Sequence, residues 1–218
     1  MKPETMDKTL PGWIRALIER YQEELEETVS GQSIRKQKYF ARDCYNIYIE
    51  LRELDNPHYK DWLRKMVVHY LNDKGAFLWN DFCVSILIFD DLLEAALVLE
   101  DERLLDHVGR WGSNPYIERK PDKGKKRMML EAAIIQRDTK RAENSLEEYK
   151  KSGKDSGVGA NLNEVYDALI SREKRKFDAE IEIMKARWKR SREWEKNEFK
   201  YFSEEIVFQS LFERYSQK

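Results

Sequence analysis

The chain has 218 residues, 41% hydrophobic and 37% charged, with 40 basic residues against 41 acidic and a formal net charge of −1. That balance excludes a whole-molecule field for nucleic acid or an anionic membrane. The charged share, above the usual ~25%, fits amphipathic helices that each expose a Lys/Glu-rich face. Only 9 Gly and 5 Pro argue against a β sandwich or barrel, whose many turns need them, and point to an all-α protein.

Met1-Lys2-Pro3-Glu4-Thr5 carries no apolar signal-peptide core, and no run approaches the ~18–20 apolar residues of a membrane span, so a cytoplasmic protein without membrane contact is expected. Pro11-Gly12 precedes a first helix with the stripe Trp13, Ile14, Leu17, Ile18, Tyr21 and Leu25, ending before Gly31. Ser33 is placed to cap a second helix with Phe40, Cys44, Ile47, Leu51 and Leu54 at steps of four and three. Asn56-Pro57 opens a third, bearing Tyr59, Trp62, Leu63, Met66 and Tyr70, which Gly75 is placed to terminate. Cys44 and Cys83 lie in apolar patterns without metal-ligand spacing and are expected as buried thiols in a reducing compartment.

From 76 to about 100 the pattern is apolar on nearly every side, which predicts a buried central helix. Within it stands Leu93-Glu94-Ala95-Ala96, whose letters return 37 residues later as Leu130-Glu131-Ala132-Ala133. A third copy, around Ala168-Leu169-Ile170, follows 35 residues on. The small Ala pairs let a second helix approach, and Asp101 and Asp138 are placed to cap the helix that follows. Each following helix shows its own stripe, so stacked pairs are expected. Loops are expected over Gly112–Lys126 and Ser152–Asn163, and a last helix from Ser203-Glu204-Glu205 is expected to cap the open end. The whole reads as one domain over 1–218 of about nine to ten helices. Residues 1–75 form N-terminal helices; 76–218 hold the buried helix, tetratricopeptide-like pairs and the capping helix.

No catalytic set, cofactor site or metal site is expected. His58, His69 and His107 are far apart and make no His-Glu-x-x-His pairing, and no phosphate-binding glycine loop or nucleophile elbow is present. The acids Asp90, Asp91 and Glu94 admit three readings: metal or acid–base work, a solvated helix edge, or one rung of an acidic ladder. In the third, Glu94 and Glu131 are repeat equivalents on a concave face, with Tyr166 at the third position and Asp167 beside it, and the ladder would suit a basic partner. Two basic runs, Arg119–Arg127 and Lys185–Arg192, could touch phosphates, but acids surround both, and solvated faces are the favoured reading.

The apolar helix, acid-marked turn and amphipathic helix, followed by Tyr166-Asp167-Ala168-Leu169-Ile170, Phe177-Asp178-Ala179 and Ser203-Glu204-Glu205, resemble the all-helical immunity proteins of bacterial polymorphic toxin systems, above all immunity protein forty-nine. The resemblance covers roughly 76–215, and the Trp-x-x-Leu-Gly signature of true tetratricopeptide repeats is absent. It implies a non-enzymatic monomer or dimer that binds a cognate protein toxin, often a nuclease, and blocks it. It transfers no contact residues; Asp90, Asp91, Glu94, Glu131 and Asp167 are the contacts that the ladder suggests. A helical-repeat adaptor holding a peptide or partner helix, with Trp111 and Tyr116 as exposed aromatics, is the alternative.

Overall fold

The computed structural model describes residues 9–31, 36–72, 82–113, 123–152, 162–190 and 194–217, with side chains throughout except at 82–87, 188 and 194–203. Among the described residues the protein is all-α, with ten helices and no strand. They are α1 (Gly12–Val29), α2 (Gln37–Glu53), α3 (Tyr59–Asn72), α4 (Phe82–Val98), α5 (Glu102–Gly112), α6 (Lys123–Ile135), α7 (Thr139–Lys151), α8 (Leu162–Ile170), α9 (Lys174–Arg190) and α10 (Trp194–Ser216). The chain forms two compact units, Met1–Ile88 and Phe89–Lys218. The sequence reading draws its internal line ahead of α4, at 75/76; the units divide within that helix.

In the first unit the expected stripes form the core. Ile14, Ile18 and Tyr21 of α1, Phe40, Cys44, Ile47 and Leu51 of α2, and Trp62, Leu63, Met66 and Tyr70 of α3 are all buried. Trp13 and Leu54, at the ends of their helices, are instead about half exposed, at 51% and 49%. Tyr21 is the hub, edge-on to Phe40 at 5.9 Å and to Trp62 at 5.2 Å between ring centroids. Buried polar atoms need partners, and here they form a chain: the Tyr21 hydroxyl lies 2.8 Å from His69 Nε2, and His69 Nδ1 lies 2.7 Å from Gln37 Oε1. Burial, then the charge of Lys65, hold the imidazole below its ordinary range. Neutral His69 donates from Nδ1 to the amide oxygen and accepts the tyrosine proton at Nε2. Burial pushes the Cys44 thiol up to about 12, so it packs as a small apolar group. Ser33, Gly75 and residues 76–81 lie outside the described residues, and so does the Cys83 side chain.

In the second unit the rest of α4 is enclosed as its composition predicts: Phe89, Leu92, Leu93, Ala95 and Ala96 are at most 1% exposed. The helix pairs α4–α5, α6–α7 and α8–α9 turn in one way. Asp101 N–H donates to Ala96 O at 2.9 Å, Asp138 N–H to Ala133 O at 3.0 Å, and Glu173 N–H to Ala168 O at 3.1 Å. The residue before each, Glu100, Arg137 and Arg172, takes a left-handed φ of 55°, 56° and 60°. This is the two-bond Schellman closure, built without glycine. The acid then caps the next helix: Asp101 Oδ1 accepts from the N–H groups of Arg103 and Leu104, and Asp138 Oδ1 from that of Arg141, all at 3.0 Å. The first unit repeats the turn between α2 and α3, with Asp55 at φ 49°, Asn56 N–H donating to Leu51 O at 2.9 Å, and Asn56 Oδ1 accepting from His58 N–H at 3.0 Å.

Three expectations are corrected. Helix α6 begins at Lys123 and α8 at Leu162, so the ends of both expected loops are helical. Helix α10 begins at Trp194, not Ser203, because no Gly or Pro interrupts 194–216 and nothing local stops the helix. Nor does α10 close only the last pair. Its Phe212 stacks on Phe177 at 4.4 Å and its Phe208 meets Tyr166 edge-on at 5.3 Å, while Arg214 bonds Glu102 at 2.6 Å and the Ile135 carbonyl at 3.3 Å. It braces α5, α6, α8 and α9 together.

Ala132 does what the Ala pair promised. A Cβ on Gly112 of α5 would stand 2.8 Å from Phe89 Cε2, 2.9 Å from Ala132 Cβ and 3.1 Å from the Met128 carbonyl. Alanine in a helix normally gains about 1 kcal/mol over glycine. Here overpacking wins, because a backbone carbonyl and a helical Ala cannot swing aside. Gly112→Ala is expected to cost about 1–3 kcal/mol by urea denaturation, with an unchanged helical signal.

Candidate functional site

A ladder of bonds joins successive first helices, but it is not the open acidic ladder expected. On α4 a four-residue step puts Asp90 and Glu94 on one face, and on α6 the same step does so for Arg127 and Glu131. Arg127 lies 37 residues after Asp90, the repeat spacing, and the two form an ion pair between α4 and α6. Tyr166 of α8 lies 35 residues after Glu131, again the repeat spacing, and its hydroxyl donates to Glu131 Oε1. Equivalent positions on successive first helices therefore bond each other: acid to guanidinium, then carboxyl to phenol.

Exposure decides what these groups can do. Glu94 is 3% exposed, Glu131 4%, Asp91 6% and Tyr166 0%. The sequence reading set Glu94 and Glu131 on an open concave face; that is corrected. The first helices of successive pairs lie close enough for Tyr166 to reach Glu131, and the Ala pairs beside both acids draw in neighbours that cover them. Asp90 keeps a side-chain exposure of 36% but is committed to Arg127, itself 20% exposed. Asp167 stands apart, one residue round α8, held by Lys150 at 2.8 Å and Lys176 at 3.0 Å. The Lys150 bond, then that of Lys176, keep its carboxyl below the ordinary range against the pull of burial. The five acids are thus not brought to one surface. Three are enclosed, and two are held by cations of the chain itself.

The electrostatics of the enclosed set are uneven. Burial, then the charges of Asp90 and Glu204, push the Glu131 carboxyl up to about 7, although Arg127 and the Tyr166 hydroxyl pull the other way. Burial opposes the Arg127 charge, but Asp90 and then Glu131 outweigh it and hold the guanidinium firmly protonated. Burial and the nearby Glu131 raise Tyr166, which stays a donor. Among the described residues, Glu131 Oε2 and Arg127 Nε have no hydrogen-bond partner.

A titratable carboxyl near neutrality is the type used in acid–base chemistry. At 4% exposure, Glu131 presents no surface to a macromolecule. Among the described residues no three His, Cys, Asp or Glu side chains are grouped to hold a metal ion. His69 belongs to the first unit's core, and His58 sits exposed beside Asp61 at 3.2 Å. Three cations of the basic runs are drawn into the fold, Arg127 into the ladder, Lys126 onto the Glu148 carbonyl at 3.1 Å, and Lys185 between Glu182 and Glu205 at 3.0 and 3.1 Å, while Lys189 and Arg190 are exposed. Trp111 packs against Phe89 at 5.9 Å and is only partly exposed, while Tyr116 lies outside the described residues. No helix among the described residues is long and apolar enough to cross a membrane.

One open feature was not anticipated, a groove of about 360 Å³ along α6 and α7, lined by Lys126, Met129, Arg141, Asn144, Ser145 and Glu148. Its signal in the sequence is faint, since these residues read individually as the polar faces of two amphipathic helices. Compared with protein-family models, curated proteins and solved structures, the chain matches none.

The Tyr166–Glu131 bond sets a measurable cost. Tyr166→Phe keeps the ring on Phe208 and Tyr149 and removes only the hydroxyl, leaving a buried carboxyl oxygen without its donor. A loss of about 1–3 kcal/mol is expected in denaturant titration at pH 8, smaller at pH 5, where a protonated Glu131 has less need of the donor.

Proposed function

We propose that this chain is a non-enzymatic binding protein that neutralises a cognate bacterial toxin by binding it directly and occluding it. One observation carries the reading: Asp90, Glu131 and Asp167 are engaged in bonds to neighbouring helices, and Asp91 and Glu94 are buried, so the acids leave the charged faces of the stacked pairs as the open surface. Such arrays bind partners on that surface. The toxin class rests on the resemblance to helical immunity proteins. Burial of Glu94 and Glu131 moves the contact surface away from them, to residues exposed on the second helices of the pairs, such as Glu143 and Glu147 of α7. The alternative, an adaptor for a peptide, draws on the α6–α7 groove, where Met129 supplies an apolar contact between Lys126 and Arg141.

The test is co-purification from the native cell with neighbouring reading frames intact. A single stoichiometric companion that is toxic without this chain is the expected result. Glu143→Lys with Glu147→Lys should weaken its capture at least roughly tenfold with folding unchanged, the size of loss typical of interface residues. Glu131→Lys should reduce capture only as far as it reduces folded protein. Capture of assorted peptides, with no toxicity on deletion, would favour the adaptor; capture of nothing would remove both.

A further inference from the structure

We infer that His69 is an acid-sensitive clasp in the first unit: as the neutral imidazole it holds the C-terminal half of α3 to α1 and α2, and a proton on it releases that half. The inference is independent of the partner proposed above. The Tyr21 hydroxyl of α1 lies 2.8 Å from Nε2 and the Gln37 amide oxygen of α2 lies 2.7 Å from Nδ1, so one imidazole joins three helices. Its two partners, a phenol and an amide, carry no charge. The neutral ring suits both, because Nδ1–H donates to the amide oxygen while Nε2 accepts the tyrosine proton. The residue is only half-buried, so a proton from water can reach it.

Protonation spoils this arrangement in two ways. Both ring nitrogens become donors, so the Tyr21 hydroxyl must turn its own proton away from Nε2. Around Tyr21 stand the rings of Phe40 and Trp62, at 5.9 and 5.2 Å between centroids, and the Cys44 thiol beside it is a weak acceptor. The new charge also stands one turn from Lys65 on the same helix, where like charges repel. Lys65 is held in place, its Nζ 4.0 Å from the centre of the Trp62 ring. On the facing helices, Asp43 of α2 and Glu24 of α1 are drawn to Arg20, at 3.5 and 3.8 Å, and neither bonds the imidazole. Two features favour the cation, the stacked Phe40 ring at 5.4 Å and the C-terminal carbonyls of α3. Burial and Lys65 outweigh them, holding the imidazole below its ordinary range.

The sign follows from linkage. The unfolded chain, with an ordinary histidine value of 6.5, takes up the proton more readily than the folded one. The stability that the neutral ring contributes is therefore present above about pH 6.5 and is lost as pH falls through the lower folded value.

The test is amide hydrogen exchange of the full chain at pH 7.5 and 5.0, corrected for intrinsic rates and read by mass spectrometry over 64–72. Protection should fall at least roughly threefold at the lower pH in the wild-type chain and stay level in His69→Gln. Equal wild-type protection at the two pH values would overturn the clasp, as would a His69→Gln chain that keeps the full drop. An equal fall over α8, in the other unit, would overturn it too, since the whole chain would then be opening. If His69→Gln does not fold, NMR titration of the His69 ring decides, in a chain carrying His58→Gln and His107→Gln so that one imidazole remains. A midpoint below 6.5 is expected, and one at or above 6.5 sinks the proposal.

Discussion

An arginine inside a helical layer must be answered by a carboxylate, and Arg127 is answered by Asp90 from the preceding pair. Removing one member of such a pair strands the other, so the ion pair fixes the register between α4 and α6 more firmly than apolar contact, which tolerates sliding. Glu131, one turn further along α6, then meets Tyr166 of the next pair. Each bond joins positions one repeat apart, so a shift of α6 by a turn would break both. The ladder acts as an internal ruler.

The ruler works because the backbones are brought close. Gly112 leaves room for Phe89 and Ala132, Gly109 lies against Ile135, and the Schellman turns at Glu100, Arg137 and Arg172 close each pair with the same backbone bonds. Every left-handed non-glycine residue carries a cost of about 1–2 kcal/mol, repeated in each turn. Two backbone hydrogen bonds and the capping acid offset it. Helix α10 then binds the layers from outside through Phe208, Phe212 and Arg214.

Much of this was legible in the residues. The Ala pairs, the turn acids and the three-four stripes predicted an all-α chain, and Asp101 and Asp138 cap where they were placed. The location of the acids was misjudged for a physical reason. A ladder of carboxylates suggests solvent, yet α4 is apolar on nearly every side, and Glu94, one turn on from the part-exposed Asp90, falls where neighbouring helices cover it. The decisive clue was a complementary charge at the repeat spacing: Arg127 stands where Asp90 stood one unit earlier. The turn at Leu51–Asn56 was placed, but its likeness to the others escaped because it precedes Ala96–Asp101 by 45 residues and shares only a Leu with it; backbone conformation, not side-chain identity, makes it equivalent. The start of α10 escaped because Ser203 and the following acids mimic a cap inside a continuous helix. The α6–α7 groove is a relation between two surfaces, which no single stripe encodes.

The most direct test of the internal ruler is a double-mutant cycle on Asp90→Asn and Arg127→Met, read by urea denaturation of the full chain. A register-fixing pair predicts that the two single changes summed cost more than the double change, with a coupling of about 1–3 kcal/mol. Additive losses, with coupling near zero, would mean that the pair is a surface ornament and that apolar packing alone sets how the helix layers align.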